Sequence, residues 1–415
     1  MPRAASHFRR YLAPRLREAL RDTPAILIHG PRQSGKTTLA RAIAEPRGYR
    51  YISFDDEATA AAARNDPLGF VDTLPAKSIL DEVQRVPEIF TSLKLVIDRR
   101  RTPGRFILTG SANVLLVPEL ADSLAGRMEI LRLHPLSQCE IGDERPGFLA
   151  ALFRGAFKTA TTDRLGNNLI ERIVVGGYPV ALARRTPARR RAWYRDYVET
   201  QIQRDVRDLS RIRSLDALPR LLELAASQTA RLINISDLAA PFELTRQTIH
   251  EHVTLLERIF LLERLPPWHT NRLSRLVKRP KLHMTDTGVA CALLEADVAA
   301  LKADRTLLGQ LLETFVLQEL RRQATWRPTS VAFHHFRDRD DFEVDIVLTQ
   351  GRTVAGVEVK AAATVNDADF RGLRKLRDAA GSAFVAGVVL YDGSATIKFG
   401  NGFFAVPVRR LWEPV

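Results

Sequence analysis

Near the start of this chain an apolar run is followed at once by a glycine-rich loop, and this pair of segments limits the folds that the chain can adopt. Ala25–His29 reads as a short buried strand, and the loop after it matches the pattern GxxxxGK(S/T) through Gly30, Gly35, Lys36 and Thr37. A helix is expected directly after the loop, so that backbone N–H groups and the positive end of the helix dipole converge on one point. This strand, loop and helix predict a phosphate-binding loop at the edge of a parallel α/β sheet.

Some residues of the loop are expected to bind the ligand through their backbone, and others through their side chains. Glycine lets the backbone come close to an anion, because a side chain there would block the approach. Lys36 is expected to reach the β and γ phosphates of ATP, and the Thr37 hydroxyl to bind Mg²⁺. The predicted ATP-binding residues are Gly30, Pro31, Arg32, Gln33, Ser34, Gly35, Lys36, Thr37 and Thr38.

A pair of carboxylates follows another of the apolar runs. Residues 51–54, 78–80 and 105–109 are further strand candidates, and Asp81 and Glu82 come directly after the second of them. A carboxylate at the end of a buried strand suits a Mg²⁺ ligand, and the next carboxylate suits activation of the attacking water. We therefore predict that Asp81 binds the metal and that Glu82 is the catalytic base. An acidic pair that only caps a strand is the alternative.

Two further positions extend the predicted site. Thr109 ends the strand candidate 105–109, where a γ-phosphate sensor is expected, and Ser111 is the second choice for that role. Arg127 is predicted to reach the nucleotide of a neighbouring subunit and to neutralise charge in the transition state. By residue type alone, a surface or salt-bridged arginine is an equally good interpretation of Arg127.

The order of these motifs resembles a prokaryotic family of AAA-type (AAA+) ATPases, whose members join an ATPase core to a carboxy-terminal domain of uncharacterised function. Beyond the phosphate loop, the resemblance rests on residues 51–56, 80–84, 108–111, 124–127, 176–179, 204–206, 285–288 and 411–412. It implies an ATP-hydrolysing homo-oligomer, as large as a hexamer, with a connection to DNA.

A second set of charged residues lies near the carboxy terminus. Asp345 is on one strand candidate, Glu358 and Lys360 are on the next, and Glu313 is in a helix before them. Facing carboxylates can hold a divalent ion, and a lysine beside them can orient a water. The set resembles the PD-(D/E)xK nuclease fold, with Val344 at the position of its proline, and this implies a second metal site at Glu313, Asp345 and Glu358 with Lys360. A salt-bridged hairpin would give the same short signature.

The segment 235–284 is typical of a winged helix-turn-helix, with Thr245 as the N-cap of its second helix. The basic residues of the predicted wing are Arg272, Arg275, Lys278, Arg279 and Lys281. The side chains expected to face a groove of DNA are Arg246, Gln247 and His250. A basic wing can follow a phosphate backbone, although winged helices also dock proteins.

Length, charge and cysteine content are consistent with these motifs. A chain of 415 residues is too long for one hydrophobic core. Its net charge of +14 favours a polyanionic partner such as nucleic acid, although an arginine-rich genome would also produce it. Cys139 and Cys291 are far apart and lack metal-ligand spacing, so we expect buried, inert thiols. No stretch is apolar enough to span a membrane, and no secretory leader is visible, so we expect a cytoplasmic protein.

We therefore predict an α/β chain of four units. These are an AAA+ P-loop ATPase domain (1–150), a helical lid or connector (151–215), a winged helix-turn-helix (216–290) and a PD-(D/E)xK endonuclease-like domain (291–415). The leading hypothesis is a Mg²⁺-dependent ATPase that acts on duplex or branched DNA, for example as a motor. The alternatives are a nucleotide-switched protein that binds a partner without DNA, and an ATP-gated, metal-dependent DNA nuclease. The predicted catalytic residues are Lys36, Glu82, Thr109 and Arg127.

Overall fold

The amino-terminal part of the chain forms a parallel sheet. The computed structural model describes residues 8–111, 126–206, 216–242, 244–269 and 279–414. The first strands are β1 (Ala25–His29), β2 (Arg50–Ser53), β3 (Ser78–Asp81), β4 (Phe106–Gly110) and β5 (Met128–Arg132). They pair in the order β2-β3-β4-β1-β5, and each pairing is parallel. The predicted parallel α/β sheet is thereby confirmed.

Helices cover both faces of this sheet. They are α1 (Ala13–Ala19), α2 (Lys36–Ala44), α3 (Glu57–Asn65), α4 (Pro67–Asp72) and α5 (Ile89–Arg99). Successive side chains of a strand point to opposite faces. Leu27 of β1 accordingly packs into the core on one face, whereas Ile26 and Ile28 pack into the core on the other. Burial on both faces explains why the strand reads as an unbroken apolar run.

A group of helices follows the sheet and overlaps the predicted connector (151–215). It contains α6 (Gln138–Gly142), α7 (Phe148–Arg154), α8 (Asn167–Val175), α9 (Pro179–Leu182), α10 (Pro187–Thr200) and a π-helical turn at Gln201–Val206. Two buried tyrosines, Tyr178 and Tyr197, fix α9 against α10, with ring centroids 4.9 Å apart and their hydroxyls 3.0 Å apart. Such a buried aromatic pair holds the end of α10 in one position.

The next unit combines three helices with a small antiparallel sheet. Its elements are α11 (Ala217–Ser227), β7 (Arg231–Leu232), α12 (Ile235–Ala239), α13 (Arg246–Arg258), β8 (Leu262–Leu265) and β9 (Lys281–Met284), with strand order β7-β9-β8. The Thr245 hydroxyl accepts a hydrogen bond from the backbone N–H of Thr248 at 3.1 Å, so the predicted N-cap of α13 is confirmed. Arg272, Arg275 and Lys278 of the predicted wing lie outside the described residues.

The carboxy-terminal part forms a mixed sheet of seven strands in the order β10-β11-β12-β13-β15-β14-β6. Its elements are α14 (Thr287–Leu293), α15 (Val298–Ala303), α16 (Arg305–Ala324), β10 (Ala332–Arg337), β11 (Glu343–Gln350), β12 (Thr353–Lys360), α17 (Arg371–Ala380), β13 (Phe384–Tyr391), β14 (Ala395–Lys398) and β15 (Phe403–Pro407). Strands β10 to β12 are antiparallel, and β13 runs parallel to β12. The edge strand β6 (Ala160–Thr161) comes from the connector and pairs with β14.

One hydrophobic core runs from the connector to the carboxy terminus. Along the sequence it extends from Cys139 and Phe148, through Phe315, to Trp412. The predicted boundaries at 150, 215 and 290 therefore do not separate independent cores. Cys139 and Cys291 are both buried free thiols, as expected. In the described parts of the chain, no helix is long and apolar enough to cross a membrane.

Candidate nucleotide site and the carboxylate cluster

The loop between β1 and α2 has a backbone that only glycine adopts easily. Gly30 has φ 152° and Gly35 has φ 95°. A Cβ atom on Gly30 would lie 2.1 Å from the carbonyl oxygen of Leu133, so no side chain fits at this position. Because Gly35 is the N-cap of α2, the unpaired N–H groups of the first helical turn face the loop. The loop therefore offers a site for an anion.

Three buried or half-buried polar side chains line the inside of this loop. The Lys36 ammonium group donates to the carbonyl oxygen of Pro31 at 2.9 Å. The Ser34 hydroxyl is buried and has no hydrogen-bond partner among the described residues. Arg10 donates to the carbonyl oxygen of Ser34 and forms an ion pair with Glu140 at 3.0 Å. The cations and the unpaired hydroxyl fit a phosphate group.

Asp81, at the end of β3, is the centre of a hydrogen-bonded group. The Thr37 hydroxyl donates to its two carboxylate oxygens at 3.0 and 3.1 Å, and the Thr109 hydroxyl also donates to it. Tyr51 of β2 donates at 2.7 Å, and burial together with this hydrogen bond raises the pKa of Tyr51 to about 12. The structure thus brings Thr37, Asp81 and Thr109 together. Our sequence analysis missed the role of Tyr51, although Tyr51 is on the strand next to Asp81.

Glu82 lies beside this group in a left-handed backbone conformation, with φ 58°. The Ser111 hydroxyl donates to its carboxylate at 2.9 Å, and the Gln84 amide donates to the same oxygen. Gln84 also donates to Ser111 at 2.9 Å, and Arg32 of the loop is 3.9 Å from Glu82. The second sensor candidate therefore contacts the predicted base. Gln84 is an additional member of the site that the sequence analysis did not assign.

The connector touches the same edge of the sheet. The Tyr197 hydroxyl, near the end of α10, donates to the carbonyl oxygen of Arg32 in the loop at 3.4 Å. Arg204, in the π-helical turn, pairs with Asp55 at 2.8 Å, and Arg85 pairs with the same carboxylate oxygen at 2.8 Å. Single π-helical turns are frequent at functional sites. The Tyr197 contact places the end of α10 next to the phosphate loop.

Arg127 lies at the amino-terminal ends of the sheet strands, whereas the loop of its own chain follows their carboxyl-terminal ends. It precedes Met128, which pairs with Ala25 at the start of β1, whereas the loop follows the end of β1. Four residue steps along a strand separate the two edges by about 13 Å. Arg127 forms a bidentate ion pair with Asp98: its Nε atom is 2.6 Å from Oδ1 and its Nη2 atom is 2.9 Å from Oδ2. It is therefore not part of the nucleotide site within one chain, and its role across a subunit interface stays a prediction.

Comparison with known protein families shows which family the region with the sheet and the loop matches. Residues 22–142 match the family described as AAA domain. The amino-terminal unit is an AAA-type domain. Residues 166–300 and 308–411 match two families that are each described as a domain of unknown function, DUF8612 and DUF4143.

One sequence relative matches nearly all of the chain, and two solved structures match 69% and 61% of it. It is 28% identical over 405 residues to an uncharacterised protein of Mycobacterium tuberculosis, covering 97% of this chain and 84% of that protein. A Walker-type ATPase of Pyrococcus abyssi is similar with a TM-score of 0.42 and 16% identity, covering 69% of this chain and 96% of that one. The RuvB Holliday junction branch migration motor of Thermotoga maritima is similar with a TM-score of 0.29 and 20% identity, covering 61% of this chain and 89% of that one. Because both TM-scores are below 0.5, we base no conclusion on the two solved structures.

Outside the AAA domain, Lys281 of β9 is surrounded by carboxylates. Its ammonium nitrogen is 2.6 Å from Glu343, 2.8 Å from Glu313 and 3.3 Å from Asp345. Burial alone would lower the pKa of Lys281, but the three carboxylates raise it well above its usual value, so the side chain stays charged. Only 3% of the Lys281 side chain is exposed. This corrects the prediction that Lys281 contacts a phosphate backbone as part of the wing.

The structure does not form the predicted second metal site at Glu313, Asp345 and Glu358 with Lys360. The ammonium group of Lys281 lies among the carboxylates instead, and Glu358 pairs with Lys360 at 2.9 Å. Burial, together with the charge of Asp345, raises the pKa of Glu358 to about 8. Within the described residues, no group of three or more His, Cys, Asp or Glu side chains is arranged to hold a metal ion.

Proposed function

We propose that the AAA domain binds ATP together with Mg²⁺ at residues 30–38 and hydrolyses the nucleotide. The observation that carries this proposal is the contact of Thr37 and Thr109 with Asp81, directly beside the glycine loop. The unpaired Ser34 hydroxyl and the ammonium group of Lys36 fit the phosphates of such a ligand. Thr37 and Asp81 would hold Mg²⁺, which neutralises phosphate charge when bound.

In this proposal Asp81 would hold the metal, and Glu82 activates the attacking water. Lys36 and the loop N–H groups bind the phosphate oxygens, and Glu82 takes up the proton of the attacking water. Ser111 and Gln84 hold the Glu82 carboxylate in one orientation, since both donate to the same oxygen. Thr109 links Asp81 to the end of β4, and so connects the predicted metal ligand to the predicted sensor strand.

Two substitutions test the site. We expect Lys36→Ala to abolish or greatly weaken ATP binding, because it removes the cation in the loop. We expect Glu82→Gln to keep ATP binding but to lower turnover at least about 100-fold, the usual contribution of a general base. Nucleotide binding and steady-state hydrolysis measure the two effects. The matched controls are Lys302→Ala and Glu18→Gln, whose side chains are exposed and outside the loop. Near-native turnover in both site variants would refute the assignment.

We further propose that the ATPase acts on DNA. The unit from α11 to β9 has the order helix, strand, helix, helix, strand, strand, which is consistent with a winged helix. Arg246, Gln247 and His250 are exposed on α13, the third helix of this unit, which suits a helix that enters a DNA groove. The net charge of +14 favours a polyanionic partner.

The DNA proposal predicts that DNA stimulates ATP hydrolysis. The measurement is the ATPase rate without DNA and with single-stranded, duplex and four-way DNA, at low and at moderate salt. We expect stimulation that weakens as salt rises, and a smaller stimulation in the double variant Arg246→Ala, Gln247→Ala. Arg185→Ala, Arg189→Ala, at exposed positions of the connector, is the control double variant, and it removes two positive charges where Arg246→Ala, Gln247→Ala removes one. No binding and no stimulation by any of these DNAs would favour a nucleotide-switched protein that binds another protein.

For the carboxy-terminal domain we propose an endonuclease-like scaffold that binds DNA without efficient cleavage. The order helix, three strands, helix, strand, from α16 to β13, supports a PD-(D/E)xK-like scaffold. The position of Lys281 among the carboxylates argues against cleavage. Incubation of the full chain with duplex and branched DNA, with Mg²⁺ or Mn²⁺ and with ATP, tests this. Strong cleavage that Asp345→Asn abolishes would contradict the proposal.

A further inference from the structure

Arg10 connects three separate segments of the chain beside the nucleotide loop. Its Nη1 atom donates to the carbonyl oxygen of Ser34 in the loop. Its Nη2 atom donates to the carbonyl oxygen of His134 at 2.6 Å, and its Nε atom is 3.0 Å from the carboxylate of Glu140 on α6. We propose, resting on the proposed ATP binding at this loop, that Arg10 is a positioning residue of the ATP site. By holding the Ser34 carbonyl group, it keeps the loop in the shape that binds phosphate, although it precedes the matched AAA region 22–142.

The guanidinium group of Arg10 is itself held in one orientation. Only 9% of the Arg10 side chain and 1% of the Glu140 side chain are exposed. The Glu140 oxygen that accepts from Arg10 also accepts the backbone N–H of Tyr11 at 2.9 Å, and its other oxygen accepts the N–H of Ser137 at 3.1 Å. Charge-assisted hydrogen bonds of this kind fix geometry as well as charge. Because Nε, Nη1 and Nη2 all donate to groups of the protein, Arg10 acts on a ligand through the loop.

The loop needs support from outside because it contains a residue in a strained backbone conformation. Gln33 has φ 58°, in the left-handed region that residues other than glycine rarely adopt. Such a conformation persists where the surrounding structure holds it. The carbonyl oxygen of Arg32, before Gln33, accepts a hydrogen bond from Tyr197 at 3.4 Å. The carbonyl oxygen of Ser34, after Gln33, accepts the hydrogen bond from Arg10.

The contact with Arg10 leaves the Ser34 hydroxyl available for a ligand. This hydroxyl is buried and has no hydrogen-bond partner among the described residues. A Cβ atom on Gly35 would lie 3.4 Å from Nη1 of Arg10, so the guanidinium group packs directly against the loop. If the Ser34 carbonyl lost this donor, the loop would spend time in shapes that do not bind, and the apparent affinity for ATP would fall accordingly. Glu82 is held separately by Ser111, so the activation of water should change little.

The test compares the native full chain with Arg10→Lys, which keeps the positive charge but not the planar fork that reaches several acceptors at once. We expect Arg10→Lys to bind ATP and a non-hydrolysable analogue at least about 10-fold more weakly, because a charge-assisted hydrogen bond to the loop is lost. KM should rise with Kd, whereas kcat at saturating ATP should fall by less than about 3-fold. Calorimetry and steady-state hydrolysis measure these effects. Arg9→Lys, at the exposed neighbouring position, is the matched control and should behave like the native chain.

Hydrogen exchange of the loop amides gives a readout that does not require hydrolysis. Without nucleotide, the amides of residues 30–38 should exchange at least about 3-fold faster in Arg10→Lys than in the native chain. Those of α17, far along the chain, should keep their native rates. Faster exchange throughout the chain would instead indicate a general loss of stability, and would contradict a role confined to the loop.

A second variant guards against misfolding. Because a shortened side chain at position 10 leaves the buried Glu140 carboxylate without its partner, Arg10→Gln combined with Glu140→Gln removes both charges together. Thermal unfolding shows whether this double variant is folded, and we expect it to bind ATP as weakly as Arg10→Lys does. Native affinity in the double variant would overturn the role of Arg10.

Lys36→Ala separates this role from the proposed ATP site. If the native chain binds ATP no more tightly than Lys36→Ala does, the ATP site itself is wrong, and the role of Arg10 falls with it. If Lys36→Ala loses binding while Arg10→Lys keeps native affinity and native exchange of the loop amides, only the role of Arg10 is refuted. A lowered kcat in Arg10→Lys with unchanged affinity would also refute it, since Arg10 would then act on the chemical step.

Discussion

At the scale of single residues, His29 shows how burial next to the nucleotide loop affects ionisation. It is the last residue of β1, directly before Gly30, and its ring packs against Phe260 with centroids 5.6 Å apart. Burial is the main reason why the pKa of His29 is lowered from 6.5 to about 3, and the positive charges of Arg132 and Lys36 lower it further. Below pH 6.5 the folded chain therefore binds fewer protons at His29 than the unfolded chain does. The stability that His29 contributes is present above this pH and is lost as the pH falls.

We predict that His29→Asn weakens the acid sensitivity of the fold. Each pH unit below 6.5 changes the contribution of His29 by up to about 1.4 kcal/mol. Between pH 7 and pH 5, the loss of unfolding free energy should therefore be smaller in His29→Asn than in the native chain by about 2 kcal/mol. Denaturant unfolding at several pH values measures the slope, and Gln247→Asn, a substitution without a titratable group at an exposed position of α13, should keep the native slope. An unchanged slope in His29→Asn would contradict the buried neutral state.

Sequence alone predicted several of the side chains that the structure brings together beside the glycine loop. Asp81 and Thr109 were predicted because each directly follows or ends an apolar run, and parallel strands bring such ends together, whereas Thr37 was predicted from the phosphate-loop pattern. Tyr51 was missed because its role depends on which strand pairs with β3. The role of Lys281 was predicted incorrectly because a lysine in a basic segment looks like its neighbours, and only the packing of α16 and β11 against β9 reveals its partners.

At the scale of elements, one carboxylate joins the AAA domain to two other parts of the chain. Glu263 of β8 is 2.9 Å from Arg132 of β5 and 2.5 Å from Arg321 of α16. Burial would raise the pKa of Glu263, but the two guanidinium groups lower it below its usual value. The stability from this contact is therefore present above pH 4.5 and is lost as the pH falls through the lowered pKa of the folded state.

We predict that Glu263→Gln destabilises the chain by about 3 kcal/mol at pH 7, because two largely buried guanidinium groups lose their shared carboxylate. The difference from the native chain should shrink in acid, where the native carboxylate also becomes protonated. Denaturant unfolding at pH 7 and near pH 3 measures both effects. Glu223→Gln, at an exposed position of α11, is the control and should change stability by less than about 0.5 kcal/mol. A loss for Glu263→Gln that is as small as that of the control would show that the contact does not stabilise the junction.

The predictability of an element depended on its length and burial. Strands β1, β3 and β4 of the amino-terminal sheet were found because they are buried along their whole length, and a parallel strand buried on both faces needs an apolar run. The edge strand β6 has only two residues, so it leaves no pattern in the sequence, and its pairing with β14 depends on residues far along the chain. The packing of residues between 139 and 412 into one core likewise leaves no pattern in the sequence, since a shared core is a property of long-range packing.

At the scale of the whole molecule, the two edges of the AAA sheet have different surroundings. The loop edge meets the connector of the same chain through Tyr197 and Arg204. The opposite edge carries Arg127, which is held against Asp98 on α5. An arginine about 13 Å or more from the loop of its own chain cannot contact that nucleotide. If Arg127 takes part in hydrolysis, it must do so at the loop of a neighbouring subunit.

We therefore predict that hydrolysis depends on an oligomer in which Arg127 completes the site of a neighbour. Lys36→Ala and Arg127→Ala should each be inactive alone, whereas an equal mixture should regain up to about one quarter of native turnover. In a randomly mixed ring, half of the sites have an intact Lys36, and half of those adjoin an intact Arg127. Arg101→Ala removes an exposed arginine near the same carboxylate, 3.9 Å from Asp98, and should stay active alone. The measurements are steady-state hydrolysis of the separate and mixed proteins and light scattering to establish their assembly. Native turnover by Arg127→Ala alone, or a mixture that assembles without regaining activity, would exclude this role for Arg127.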